Sequence, residues 1–357
     1  MNFKNFKYYF RLYFKYQPRT REQLDILLDR DDVEYEHINV SHISDMSFLF
    51  CSDSSFTKDV DVVTHKLKPN QKGLINWNVS NVIDMRAMFC GASDFNQQIE
   101  NWDVSNVESM YLLFGRATSF NQPIGEWNVS NVTVMDSMFS GAKAFNHSLE
   151  EWNVSKVTNM REMFMGASSF NSSLEGWDVS NVTDMSAMFK GAASFNQPIG
   201  YWIVSSVTNM FALFYRAKSF NQSLENWNVS SVTDMSAMFK DAILFNQPIY
   251  NWNVSNVTNM SEMFCGAISF NQPLENWNVS NVKNMKEMFK GATSFNQPIE
   301  NWNVPNVVDM RGMLYNAKSF KQKIPNWNIS YNYNAKEMLN IVRMNLSEIA
   351  STLKNGS

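Results

Sequence analysis

Side chains of the metal-binding and nucleophilic kinds are scarce: the 357 residues include 4 histidines and 3 cysteines. Those counts exclude a disulfide-dense scaffold and a multi-zinc protein. Glycine at 13 and proline at 9 are low as well, which excludes a collagen-like chain. An excess of one charge is also missing, since 30 basic against 34 acidic side chains leave a net charge of −4. Such a balance does not build a phosphate-neutralising surface, so no nucleic acid partner is expected. No run reaches the roughly 18 apolar residues of a spanning helix, so no transmembrane segment is expected. G-x-S-x-G, H-E-x-x-H, P-loop and G-x-G-x-x-G signatures do not occur, and the histidines are too few for a common acid–base scheme. The expectation is a protein that is not an enzyme and has no cofactor. What is present is apolar: 44% of residues are hydrophobic and 14% aromatic, enough for a sizeable core.

A period of twenty-five residues orders that material. All 11 tryptophans lie on one series: Trp77, Trp102, Trp127, Trp152, Trp177, Trp202, Trp227, Trp252, Trp277, Trp302 and Trp327. Self-similarity at such a period signals stacked repeats. With each Trp as position 0, the repeat at Trp252 is apolar at positions 0, 2, 5, 8, 11, 12, 15, 18 and 22. Position 8 is Met from Met85 to Met310, position 2 is Val from Val79 to Val304, and position 18 is aromatic from Phe95 to Phe320. Upstream, Ile38, Val40, Ile43, Met46, Leu49, Phe50 and Phe56 form a degenerate first repeat, followed by a 14-residue insertion. Downstream, Trp327, Ile329, Met338 and Leu339 keep the pattern while Asn332 and Ala335 lose it. The expected organisation is an arm and capping helix over 1–37, the first repeat with its insertion over 38–76, ten regular repeats over 77–326, and a decayed repeat with a capping helix over 327–357.

Positions 5, 8, 11/12 and 15 are three or four apart, which predicts a short helix with one buried face. Ser at position 3, as in Ser130 or Ser255, suits its N-cap, and Gly at position 14, as in Gly141 or Gly266, suits its exit. Positions 15 to 22 predict a short strand stacking in parallel from repeat to repeat. The fold class expected is therefore an α/β repeat, a leucine-rich-repeat-like solenoid of about twelve 25-residue units. A propeller blade would need roughly 40 residues.

The pattern F-N-Q-P-I-E-N-W-N-V-S-N-V-T-N-M-S-x-M-F-x-G-A resembles the repeat of the BspA-like leucine-rich-repeat surface proteins, in the form abundant in mycoplasma lipoproteins. The likeness spans roughly residues 38 to 339, and the segment from Arg19 to Phe50, with its I-N-V-S-H-I-S-D-M-S-F-L-F, resembles the family's entry cap. The resemblance implies a right-handed solenoid used for surface display, adhesion or partner binding, with no catalytic residues to carry over.

Repeat arrays need polar-faced caps. Thr20 with Gln23 forms a candidate capping box for a helix over 20–30, with Leu24, Ile26, Leu27 and Leu28 on its apolar side. Met338, Leu339, Val342, Leu346, Ile349 and Leu353 predict a second cap over 335–353. The opening segment to Tyr16 interleaves Phe and Tyr with Lys and Arg, which suits weak contact with a membrane surface, a docking arm, or a helix on the cap. It has neither the continuous apolar core of a signal peptide nor a lipobox cysteine. A cytoplasmic or particle-associated location is expected on that ground, with the cell surface as the alternative that the resemblance implies.

Metal and redox readings are thin. Of the 23 methionines, 20 occupy positions 8 and 11, which suits core packing on aromatics better than copper binding. Cys51, Cys90 and Cys265 all sit at position 13. Free thiols are expected, with a Cys51–Cys90 bridge as the alternative. His37, His42 and His65 lie near Cys51 in sequence without a standard zinc spacing. Asp84, Asp184, Asp234 and Asp309 recur at position 7 but alternate with Asn, which suits a solvent-facing turn.

Asparagine is the more informative polar residue. Position 19 is Asn from Asn96 to Asn296, and position 1 is Asn or Asp in nearly every repeat. Such columns are expected to stack as ladders that satisfy backbone groups of neighbouring repeats. Asn78, Asn128, Asn253 and Asn278 also form N-x-S sequons, relevant only to a secreted chain. Positions 9, 13 and 16 vary and are expected to face outward. Tyr111, Phe211 and Tyr215 stand out there as candidate partner-binding residues, together with Arg86 and Arg161. The function expected is non-catalytic binding of a protein partner through these variable positions, or a structural or adhesive display array.

Overall fold

The computed structural model describes residues 14–58, 62–68 and 73–323. The opening arm, the decayed repeat from Trp327 and the helix expected over 335–353 lie outside these residues. The chain divides into two compact units, 1–198 and 199–357.

Among the described residues one α-helix forms, α1, Arg21–Leu28, at the entry of the first unit. Gln23 N–H donates to Thr20 Oγ1 at 3.4 Å, and Gln23 Oε1 accepts from Arg19 N–H at 2.8 Å, a variant of the expected capping box. Leu24 and Leu28 are buried, whereas Ile26 is exposed. The polar side of α1 reaches the insertion: His65, itself buried, meets Asp25 at 2.8 Å and Asp29 at 2.9 Å. Arg21 joins them at 2.8 Å from Asp25. Replacing His65 by alanine leaves two carboxylates beside an emptied pocket, and is expected to lower stability by about 2 kcal/mol in denaturant titration. His37 and His42 take no part in this contact, so the histidines do not converge.

The repeats are built differently from the expectation. No α-helix occupies positions 5–15, and no extended strand occupies positions 15–22, among the described residues. Isolated parallel bridges instead join position 7 of successive repeats, as in Asp45 to Asp84, Asp84 to Ser109 and Ser109 to Val134 in the first unit. In the second unit the same column runs from Asn209 through Asp234, Asn259 and Asn284 to Asp309.

From that column onward, alternate N–H groups serve different purposes. Those at positions 8, 10, 12 and 14 donate to the next repeat: Met260 to Asn284 at 2.9 Å, Glu262 to Lys286 at 2.7 Å, Phe264 to Met288 at 2.8 Å and Gly266 to Lys290 at 2.7 Å. Those at positions 11, 13 and 15 donate three residues back, as in Met263 to Met260 at 3.2 Å and Ala267 to Phe264 at 3.0 Å. The result is a chain of overlapping turns that shares the three-residue spacing of a helix but sends half its donors sideways. Left-handed backbone at position 10, as in Ala87 (φ 51°), Glu162 (57°) and Glu287 (54°), stops any helix from propagating. The Gly at position 14, as in Gly141 (φ 74°), is therefore a turn residue inside the ladder, not a helix exit.

Ser at position 3 caps nothing by its side chain; its N–H donates to the position-1 Asn or Asp, as in Ser130 to Asn128 at 3.2 Å. Position 1 is thus a local Asx turn and not a ladder. Position 7 works in the same way toward position 9, whether occupied by Asp184 (2.7 Å to Ser186 N–H) or Asn159 (2.9 Å to Arg161 N–H). Asp and Asn alternate there because both supply the required acceptor oxygen.

Positions 0, 2, 5, 8, 11, 12, 15, 18 and 22 are buried from repeat to repeat. Phe164 stacks on Phe170 at 4.0 Å within its repeat, and on Phe139 at 5.5 Å and Phe189 at 5.7 Å in the adjacent ones. Indole N–H groups in turn reach a carbonyl 28 residues back, as in Trp152 to Ile124 at 3.1 Å and Trp252 to Leu224 at 3.0 Å, while Trp77, which follows the insertion, reaches Tyr35 O at 3.0 Å. The ladder expected at position 19 forms, with Asn171 N–H donating to Asn146 Oδ1 at 2.8 Å and Asn271 N–H to Asn246 Oδ1 at 2.9 Å. A further ladder lies at position 4, where Asn106 Nδ2 donates to Ser80 O and Asn281 Nδ2 to Ser255 O, each at 2.7 Å.

Candidate functional site

Because the buried columns barely change, differences between repeats concentrate where side chains leave the turn ladder, at positions 9, 10 and 13. This face is not uniformly outward as expected. Ser186 and Ser236 at position 9 are buried. Tyr111 is half-buried, packed with Phe56 and Val62 of the first repeat against Phe48, Cys51, Ala87, Cys90 and Leu112. Burial, with Asp136 nearby, pushes its phenol pKa upward, and burial raises Asp136 likewise. Arg116 fastens the second half of the first repeat over this apolar cluster, pairing with Asp53 and lying 5.3 Å from the Phe56 ring. Tyr111 is therefore packing in the first unit and not a free anchor.

The other expected residues stand as follows. Arg86 is exposed and pairs with Asp84 at 2.7 Å, a contact that raises the guanidinium's pKa. Arg161 is exposed and lies 3.2 Å from Glu162. Phe211 is 43% exposed, its N–H held by Asn209 Oδ1 at 3.0 Å. Tyr215, in the same repeat, is half-buried between Arg216 at 4.9 Å and Lys240 at 5.5 Å from its ring.

The second unit also carries exposed apolar residues that column-by-column reading of positions 9, 13 and 16 did not single out. Ile203 is 62% exposed at position 1, where neighbouring repeats carry Asn228 and Asn253, and Tyr201 beside it is 45% exposed. Leu244 and Ile268 are exposed where adjacent repeats meet, with Ser269 N–H donating to Ile243 O at 3.2 Å. Eight of the eleven large hydrophobic residues exposed among the described residues fall between Tyr201 and Tyr315. The signal was available at Ile203, an apolar residue in an otherwise polar column.

Among the described residues, potential metal ligands gather at Glu262, Cys265 and Glu287, whose atoms lie within 4.8 Å of one another. Lys240 pairs with Glu262, and Lys290 with Glu287 at 2.9 Å. Burial pushes the Cys265 thiol up to about 11, so the group is a neutralised Lys–Glu network around a protonated thiol. A shallow polar hollow of about 440 Å³ lies beside Asn106, Glu108, Asn131, Thr133 and Lys156, and Lys156 Nζ there already donates to Asn131 at 2.7 Å. No described helix is long and apolar enough to cross a membrane.

A regular succession of turns joined by backbone ladders and an aromatic core defines a repeat protein. Three overlapping segments, 61–174, 147–250 and 234–351, match the family model DUF285, described as Mycoplasma protein of unknown function. The chain belongs to that family. No curated protein matches it.

Proposed function

We propose that this chain is a non-catalytic, solenoid-like interaction protein whose second unit binds a protein partner through its variable face. The observation that carries the reading is the concentration of exposed apolar side chains between Tyr201 and Tyr315, on repeats whose cores match those of the first unit. Aromatics such as the exposed Phe211 and the half-buried Tyr215 beside Arg216 are favoured anchors of protein interfaces. The resemblance of the repeat to BspA-like surface proteins supports the same reading and leaves the compartment open between cell exterior and interior. Near-identical repeats, such as those from Trp252 and Trp277, favour the alternative of a display array in which regularity itself is the product.

Substitution toward the neighbouring repeats separates the two. Phe211→Ser and Ile203→Asn install residues that this backbone already accepts at the same columns, Ser186 and Ser236 at position 9 and Asn228 and Asn253 at position 1. The melting temperature is expected to stay within about 2 °C, because surface changes away from buried features cost little. Cross-linking mass spectrometry of cells expressing each form reads out contacts made by lysines of residues 199–323. Loss of those cross-links in the double variant, with folding intact, is the expected result. Cross-links that persist unchanged would transfer the function to the invariant columns and to the display reading.

A further inference from the structure

We infer that Cys51 and Cys90 form a hydroperoxide-sensitive dithiol that closes to a disulfide across the first two repeats. Both residues occupy position 13, and the 14-residue insertion separates them in sequence without separating them in the stack. The backbone ladder sets their spacing: Phe50 N–H donates to Met88 O, and Ser52 N–H to Cys90 O, both at 2.8 Å. Adjacent chains held by such bonds run about 4.8 Å apart, inside the roughly 4.4–6.8 Å Cα separation that a disulfide spans. Their thiols are free and lie together in one buried apolar cluster with Phe48, Ala87 and Leu112. Cys265, in the second unit, has no cysteine among its own unit's described residues.

The surroundings divide the work between the two sulfurs. The hydrogen bond from Cys90 is the largest influence on Cys51 and brings its thiol down to about 7, while the same contact and burial push Cys90 up. Cys51 Sγ also lies 3.8 Å from Asp53 O and is the one of the pair nearer solvent. Cys51 is therefore the thiolate that attacks and Cys90 the thiol that resolves. The Cys51 thiolate attacks one peroxide oxygen, the O–O bond breaks, and Cys51 becomes a sulfenic acid as hydroxide leaves and is protonated. Cys90 sulfur then attacks Cys51 sulfur, the S–O bond breaks, and the departing hydroxide takes the Cys90 proton as water. Two sulfurs each lose one electron, hydrogen peroxide gains two, and two waters result. The bridge ties the first repeat to the second under the apolar lid formed by Phe56, Val62 and Tyr111.

The test uses the full chain, reduced and then exposed to hydrogen peroxide under native conditions, followed by alkylation in denaturant and peptide mass spectrometry. The expected result is a Cys51–Cys90 linked peptide within a monomer, Cys265 alkylated, and a melting temperature that rises and returns on adding dithiothreitol. Cys90→Ser, which keeps a polar hydroxyl beside Cys51 but cannot resolve, should trap the Cys51 sulfenic acid for dimedone labelling, whereas Cys51→Ala should leave Cys90 unlabelled. Recovery of both thiols alkylated, of Cys51 as sulfinic acid beside an intact Cys90 thiol, or of bridges only between chains would overturn the assignment. Dimedone labelling of Cys90 in Cys51→Ala would overturn the order of attack.

Discussion

Trp152→Ala is expected to be the most damaging single substitution in the described core. The side chain is 1% exposed and its N–H satisfies the Ile124 carbonyl at 3.1 Å, so the variant loses both packing and a buried hydrogen bond. Emptying a Trp-sized site costs about 3–5 kcal/mol, and an unpaired buried carbonyl adds about 1 kcal/mol or more. Set against a typical total of about 5–15 kcal/mol, that loss leaves little margin. Because repeats are stabilised mainly by their neighbours, the damage should also break cooperativity at its site. Thermal unfolding is expected to separate into two transitions, with amide exchange fastest over residues 127–176. Trp152→Phe keeps an aromatic ring and loses the indole donor, so it should cost only about 1–3 kcal/mol and retain one transition. A Phe variant as unstable as the Ala variant would show that the indole hydrogen bond dominates over the stacked volume.

Asn171→Leu ranks second. Asn171 Oδ1 accepts from Asn196 N–H at 2.8 Å and from Gln197 Nε2 at 3.2 Å, so one side chain satisfies the neighbouring repeat twice. Leucine has nearly the same shape and no acceptor. The Asn196 N–H is left unsatisfied, at a cost of about 1–3 kcal/mol, seen as a lower denaturation midpoint and an Asn196 amide that exchanges at least about tenfold faster. Asn171→Asp retains an acceptor oxygen at the same place and is expected to recover most of that loss. Equal instability of the Leu and Asp variants would assign the column to side-chain shape and not to hydrogen bonding.

These two substitutions also mark what separates architecture from function in a repeat protein. The Trp, Phe, Met and Asn columns are the same in both units, so they hold the stack and cannot distinguish one partner from another. Phe211, Ile203 and Tyr201 break their columns at little structural expense, and the interaction reading rests on them. The second half of the first repeat plays a third role, since Phe56 and Val62, with Arg116 over the Phe56 ring, cover the apolar cluster around Cys51 and Cys90.

The period, the buried columns and the position-19 ladder were all legible in the sequence, because stacked repeats place identical residues in identical environments and the pattern is written once per turn. The cap around Thr20 was legible for a local reason, the spacing of Thr20 and Gln23. Secondary structure within each repeat was not. A three-residue apolar spacing serves a helix and a series of overlapping turns equally well. The difference lies in whether N–H groups at positions 8, 10, 12 and 14 turn inward or reach the next repeat, and a partner 25 residues away decides that. Local preference also pointed the wrong way at position 10, where Ala87, Ala187 and Glu287 adopt left-handed backbone only because the ladder holds both neighbours. The candidate face followed the same division. Variability identified Phe211, but only the tertiary structure could bury Ser186 and Ser236, pack Tyr111 against Phe56 and Val62 and set Cys51 against Cys90, because burial depends on what the adjacent repeat places on top of each side chain.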